Sequence, residues 1–110
     1  MGLDGTLDVT TDGHGVSFAL AVTNASDEPI TAQFSDGCRV DVAVEDDDAE
    51  VWRFTEERLF PQVLGEERFD PGETRRFEVE WADPDPGSYT ATAELTATDR
   101  DCTASASFSV

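Results

Sequence analysis

Lysine is missing from this sequence altogether. All seven basic residues are arginine, they face 25 Asp and Glu, and the formal net charge is −18. A surface this negative repels phosphates, which excludes nucleic acid and anionic membrane as partners. Histidine occurs once and cysteine twice. With no CxxC pair and no His near Cys38 or Cys102, the roughly four ligands of a zinc site cannot be assembled, and no metal or other cofactor is expected. No apolar run approaches the ~20 residues that span a bilayer. Met1-Gly2-Leu3-Asp4-Gly5-Thr6 has neither a basic region nor an apolar stretch, so no secretion signal is read here and a cytoplasmic protein is expected.

Three causes can produce such a charge. Disorder is one, but the apolar residues here are regularly spaced and include two Trp and seven Phe, enough to form a core. An acidic tail is another, but the carboxylates run along the whole chain. The third is adaptation to high salt, where the Debye length falls to about 3 Å and self-repulsion is screened. The composition fits that reading, and a halophilic protein is expected.

Period-two alternation dominates what is present. Val16, Phe18, Leu20 and Val22 alternate with small or polar residues, as a strand with one buried face does. After the turn cluster Asn24–Pro29, the same parity returns at Ile30, Ala32 and Phe34. Asp36-Gly37 reverses the chain into Cys38, Val40, Val42 and Val44, and this pair reads as a hairpin. Asp46-Asp47-Asp48 ends that strand, and Glu50–Phe54 reads as another. Alternation resumes at Phe77, Val79 and Trp81, then at Tyr89, Ala91, Ala93 and Leu95, then at Cys102, Ala104, Ala106 and Phe108. With Leu7 and Val9, the spacing predicts an all-β, immunoglobulin-like antiparallel sandwich of about seven or eight strands. Residues 1–110 make one domain, expected as a monomer. Phe18, Phe34, Trp52, Phe77, Trp81, Tyr89 and Phe108 are its expected core. Cys38 and Cys102 both face inward, on strands of one sheet with another strand between them. At about 4.8 Å per strand they are too far apart to bridge, so two free thiols are expected.

One segment, about 55–70, breaks the alternation. Glu56, Glu57 and Arg58 favour helix, and the spacing predicts a helical turn before Pro61. The apolar residues in or beside this segment, Phe54, Leu59, Phe60, Val63 and Leu64, have two open uses. They can close an end of the sandwich, or they can form an exposed ridge that marks a partner site. Gln62 lies among them.

Enzyme chemistry finds no foothold. His14 sits between two glycines, a turn that supplies neither the burial nor the partner a catalytic base needs. Gly13-His14-Gly15 neither follows a buried strand nor opens a helix, so it is not a phosphate loop. Asp46-Asp47-Asp48 offers oxygen ligands for a cation but reads as a solvated turn. Asn24-Ala25-Ser26 matches the glycosylation sequon and also reads as a turn. No catalytic residue is assigned.

Several pieces of the chain resemble the intracellular proteinase inhibitor (BsuPI) family. They are Thr23–Ile30, Phe34–Val44 with its Gly37-x-x-x-Asp41 spacing, Glu50-Val51-Trp52-Arg53-Phe54, Phe60-Pro61-Gln62, Phe69-Asp70-Pro71-Gly72-Glu73, Trp81 and Pro86-Gly87-Ser88-Tyr89. The family usually places an aromatic before the Asp, where this chain has Val40. The resemblance implies a cytoplasmic β-sandwich that inhibits an intracellular, subtilisin-like serine protease by protein–protein binding. Phe54, Leu59, Phe60, Gln62, Val63 and Leu64 are the candidate partner-binding residues. The alternative is an immunoglobulin-like interaction domain that uses the same surface without inhibiting.

The thermal midpoint is expected to rise steeply between dilute buffer and about 2 M KCl, then flatten once screening is complete. Calorimetry across that range checks it, and an unchanged midpoint would give the acidic surface another role.

Overall fold

The computed structural model describes residues 2–12, 15–56 and 59–110. Within them the chain forms β1 (Leu3–Thr11), β2 (Gly15–Asn24), β3 (Ile30–Phe34), β4 (Val40–Asp46), β5 (Ala49–Arg53), β6 (Gly65–Phe69), β7 (Thr74–Ala82), β8 (Ser88–Leu95) and β9 (Thr103–Ser109). All pairings are antiparallel. One sheet has the order β1-β2-β7, a ribbon pairs β3 with β6, and a four-stranded sheet has the order β5-β4-β8-β9. The expected all-β sandwich is present, with nine strands described rather than seven or eight.

The alternating residues explain the layers. Phe18, Leu20 and Val22 of β2 and Val79 of β7 meet Val40, Val42 and Val44 of β4 and Tyr89, Ala91, Ala93 and Leu95 of β8 in one buried cluster. Ala32, Phe34 and Phe69 bring the β3–β6 ribbon into the same core. Phe18, Phe34 and Tyr89 are buried, while Trp52, Phe77, Trp81 and Phe108 pack against the cluster partly exposed. The Tyr89 hydroxyl donates to the Asp85 carbonyl four residues upstream, the kind of tie that fixes strand entry in immunoglobulin-like sandwiches. Asn24 is fully buried and satisfied. Its Nδ2 donates to Glu28 O at 2.8 Å and Phe69 O at 2.9 Å, and its Oδ1 accepts from Ser26. The sequon is therefore a structural turn.

Two expectations need correction. Ile30–Phe34 and Val40–Asp46 do not form a hairpin. β3 pairs with β6, β4 pairs with β5 and β8, and Ser35–Arg39 crosses between sheets. Strand parity predicts which face is buried, but it does not name the neighbour. The irregular segment is shorter than expected, because Gly65–Phe69 forms β6. Its half-buried positions hold Gly65 and Glu67 rather than apolar residues, so no alternation was visible. Before it, Phe54–Glu56 is a turn and residues 59–64 have no regular structure, with Leu59, Val63 and Leu64 exposed. The helical turn expected over Glu56, Glu57 and Arg58 falls mostly on Glu57 and Arg58, which with His14 lie outside the described residues.

The acidic run has a structural explanation. Asp47 and Asp48 have φ of 53° and 71° between the paired Asp46 and Ala49. That is a two-residue hairpin turn of the kind that follows strand twist, and Asp tolerates it better than most residues. The two cysteines are free and buried, and β8 separates β4 from β9 as expected. Burial pushes both thiols above their ordinary pKa, which lowers their thiolate content and reactivity.

Phe18→Ala is expected to cost about 3–5 kcal/mol, because it opens a sealed cavity between the sheets. Trp81→Ala, at a partly exposed site, is expected to cost less, about 2–3 kcal/mol. Denaturant melts in molar salt check the order, and the reverse order would make Trp81 the keystone of the sandwich.

Candidate functional site

The chain leaves the four-stranded sheet at Arg53 and re-enters pairing at Gly65, in the ribbon with β3. Residues 54–64 make the crossing. Their first fastening is backbone, from Phe54 N–H to Val42 O at 2.9 Å. The second is ionic. Arg53 donates to Glu50 Oε1 at 2.7 Å and to Asp41 Oδ2, and both bonds raise its pKa, Glu50 contributing most. Asp41 is 7% exposed, and a carboxylate at that depth requires a charged partner. Val51 is the extra residue where the β4–β5 register shifts after Val44, and it is exposed.

The third fastening is aromatic. The ring of Phe60 lies 6.1 Å from Phe54, Phe54 lies 6.5 Å from Trp52, and Trp52 stacks on Trp81 at 5.6 Å. Trp81 meets Tyr89 edge-on at 5.2 Å, which ties the row to the core. These centroid distances are those of attractive aromatic pairs. The fourth is a latch, with Gly37 N–H donating to Pro61 O at 2.8 Å. A Cβ on Gly37 would lie 2.8 Å from Pro61 Cδ, so only glycine allows this approach. At the far end, the Arg39 guanidinium covers Gly65, lying 2.7 Å from where a Cβ would stand. Arg39 also pairs with Glu67 at 2.9 Å and stacks over Phe34 at 4.4 Å.

The six candidate residues divide accordingly. Phe54 and Phe60 are half-buried and turned into the aromatic row. Leu59 is 100% exposed, Leu64 82% and Val63 65%, with Gln62 exposed between them. Pattern reading found the segment but not its fastenings. Gly37, Asp41 and Arg53, which carry the family resemblance, brace it through non-local contacts that no local spacing displays. The arrangement can present an apolar rim on a held backbone. Among the described residues no group of three or more His, Cys, Asp or Glu is placed to hold a metal ion.

The fold defines the class first, an immunoglobulin-like β-sandwich. The family model for the intracellular proteinase inhibitor, BsuPI, matches residues 3–100. The chain belongs to that family. A search of curated proteins finds no match. Among solved structures, a β-glucosidase from Kluyveromyces marxianus in complex with glucose is similar at 13% identity and a TM-score of 0.56, over 98% of this chain and 14% of that one. A selenomethionine-labelled crystal of the same enzyme gives 12% and 0.55, over the same shares. The chain thus spans 14% of that enzyme, and a likeness at this identity shows the fold alone.

Arg53→Ala is expected to cost about 2–3 kcal/mol, because it strands the buried Asp41 carboxylate. Asp41→Asn is expected to cost only about 1 kcal/mol, since Arg53 keeps Glu50 and reaches water. Denaturant midpoints of the two variants check the asymmetry, and equal losses would mean that the pair acts as a single unit.

Proposed function

We propose that this protein binds and blocks an intracellular serine protease of the subtilisin-like kind, through the apolar rim of residues 59–64. The supporting observation is the concentration of Leu59, Val63 and Leu64, three large exposed hydrophobics, on one held segment of a protein with a net charge of −18. Exposed apolar clusters on charged surfaces mark partner sites, and membership in an inhibitor family supports a protease as that partner. Phe54 and Phe60 support the rim from beneath, and Gln62 contributes polar contact between its apolar members.

The reading extends to the whole molecule. Residues 1–110 act as one monomeric, non-enzymatic domain in a salt-rich cytoplasm, a location supported by the family's description as intracellular. Among the described residues no helix is long and apolar enough to cross a membrane. A second reading, an interaction module that does not inhibit, uses the same rim. The two part at one measurement, because only an inhibitor slows the protease it binds.

Purified protein is expected to inhibit an intracellular subtilisin-like protease in molar salt. Replacing Leu59, Val63 and Leu64 together by Asp is expected to weaken inhibition at least about 30-fold, the loss typical of interface anchors. Absent inhibition by the wild-type protein, with binding retained, would favour the interaction module.

A further inference from the structure

We propose that Leu59 is the side chain that enters the protease's specificity pocket, and that the Leu59–Phe60 peptide bond is the one offered to its serine. This rests on the inhibitor reading above and narrows it to one bond. Three apolar residues compete for the role. Leu64 precedes Gly65, which is already paired with Phe34 in β6 and covered by the Arg39 guanidinium. Attack there would meet a strand end under a side chain. Val63 is less exposed, at 65%, and is branched next to its backbone. Leu59 is exposed over its whole surface.

Leu59 alone of the three combines full exposure with a carboxyl side that is held without being locked into a strand. Immediately after Leu59 the chain is held twice, by the Phe60 ring against Phe54 at 6.1 Å and by Pro61 O accepting from Gly37 N–H at 2.8 Å. The chemistry follows from that. The protease's serine oxygen adds to the Leu59 carbonyl carbon, and the Leu59–Phe60 C–N bond breaks. The serine proton passes through the protease's base to Phe60 N, leaving an ester on Leu59 and a free amine on Phe60. Hydrolysis of the ester requires that amine to move away and admit water. With Phe60 and Pro61 fastened to the body, the amine stays within reach at high effective concentration. It attacks the ester, returns the proton to the serine and re-forms the peptide bond. Pro61, with its φ locked, stiffens the held side further. In this chain aromatic packing and a glycine latch take the place that disulfide bracing would fill.

The test uses the full chain, a subtilisin-like protease and molar salt. Long incubation followed by mass spectrometry is expected to show one slow cut, with a new amino terminus at Phe60 and both pieces still associated. Leu59→Asp alone is expected to weaken inhibition by about 30-fold or more, and Leu64→Asp by no more than a few-fold. Gly37→Ala forces Pro61 off its latch and is expected to turn the inhibitor into a substrate cut at least ~10-fold faster. Phe54→Ala is expected to act the same way, with circular dichroism confirming that each variant stays folded. A first cut at another bond, or a larger loss from Leu64→Asp, would overturn the assignment of Leu59 while the inhibitor reading stands. Failure of the wild-type protein to inhibit would remove both.

Discussion

Residues 54–64 must carry the chain from the edge of one sheet to the β3–β6 ribbon, and the described ones, 54–56 and 59–64, have no strand pairing of their own. Holding a loop still costs on the order of 1–2 kcal/mol per residue in backbone entropy. Here that cost is met at separate points: Phe54 on Val42, Arg53 on Asp41, Phe60 on Phe54 and Pro61 on Gly37. Two of these reach β4, one reaches the loop between β3 and β4, and the ring of Phe54 carries the fourth through Trp52 to Trp81 of β7. The segment's position therefore depends on both sheets keeping their places, and the side chains left unfastened are the apolar ones.

The scarcity of positive charge shapes how that is done. Arg39, Arg53 and Arg75 each bridge elements rather than decorate the surface. Glu67 alone receives both Arg39 and Arg75, at 2.9 and 2.7 Å. Arg39 and Arg75 also lie over the rings of Phe34 and Phe69. A planar guanidinium can pair with a carboxylate at its edge and cover an aromatic face at once, whereas an ammonium cannot. The absence of lysine thus has an internal counterpart as well as a surface one. Salt acts unevenly on these pairs. Exposed ones such as Arg76–Asp8 and Arg68–Asp70 are screened readily, while Arg53–Asp41, with a carboxylate side chain only 9% exposed, is screened little.

Much of the fold was legible because β8 and β9 keep strict parity and the large apolar residues of β2 and β4 keep it too, although Ala19, Ala21 and Asp41 are buried on the other face. The partners of strands were not legible. Nothing within Phe34–Val40 distinguishes a hairpin from a crossover between sheets, since both need a turn at Asp36-Gly37. β6 escaped notice because its half-buried Glu67 is neutralised by two arginines from elsewhere in the chain. The candidate segment was legible as a place where apolar residues stop alternating. Its division was not, because Phe60 and Leu59 are adjacent and equally apolar. What separates them is a ring at Phe54 and a latch at Gly37, both set by tertiary contacts.

That division bears on why the rim persists. Exposed leucines are tolerated in ordinary solvent because burial is worth only about 25 cal/mol per Å² and one residue rarely drives association. Salts that are excluded from protein surfaces strengthen apolar burial. In a salt-rich cytoplasm, as proposed, Leu59, Val63 and Leu64 would therefore be a greater liability than in dilute buffer. The crossing could have turned them inward, as it does Phe54 and Phe60, or replaced them with the carboxylates that cover so much of the rest of the chain. It does neither, and it spends four fastenings on holding their backbone in place. A segment that turns apolar side chains outward while Phe54, Phe60 and Pro61 tie it to the body is shaped for a surface that meets it, and this is the physical support for the proposed inhibitor reading.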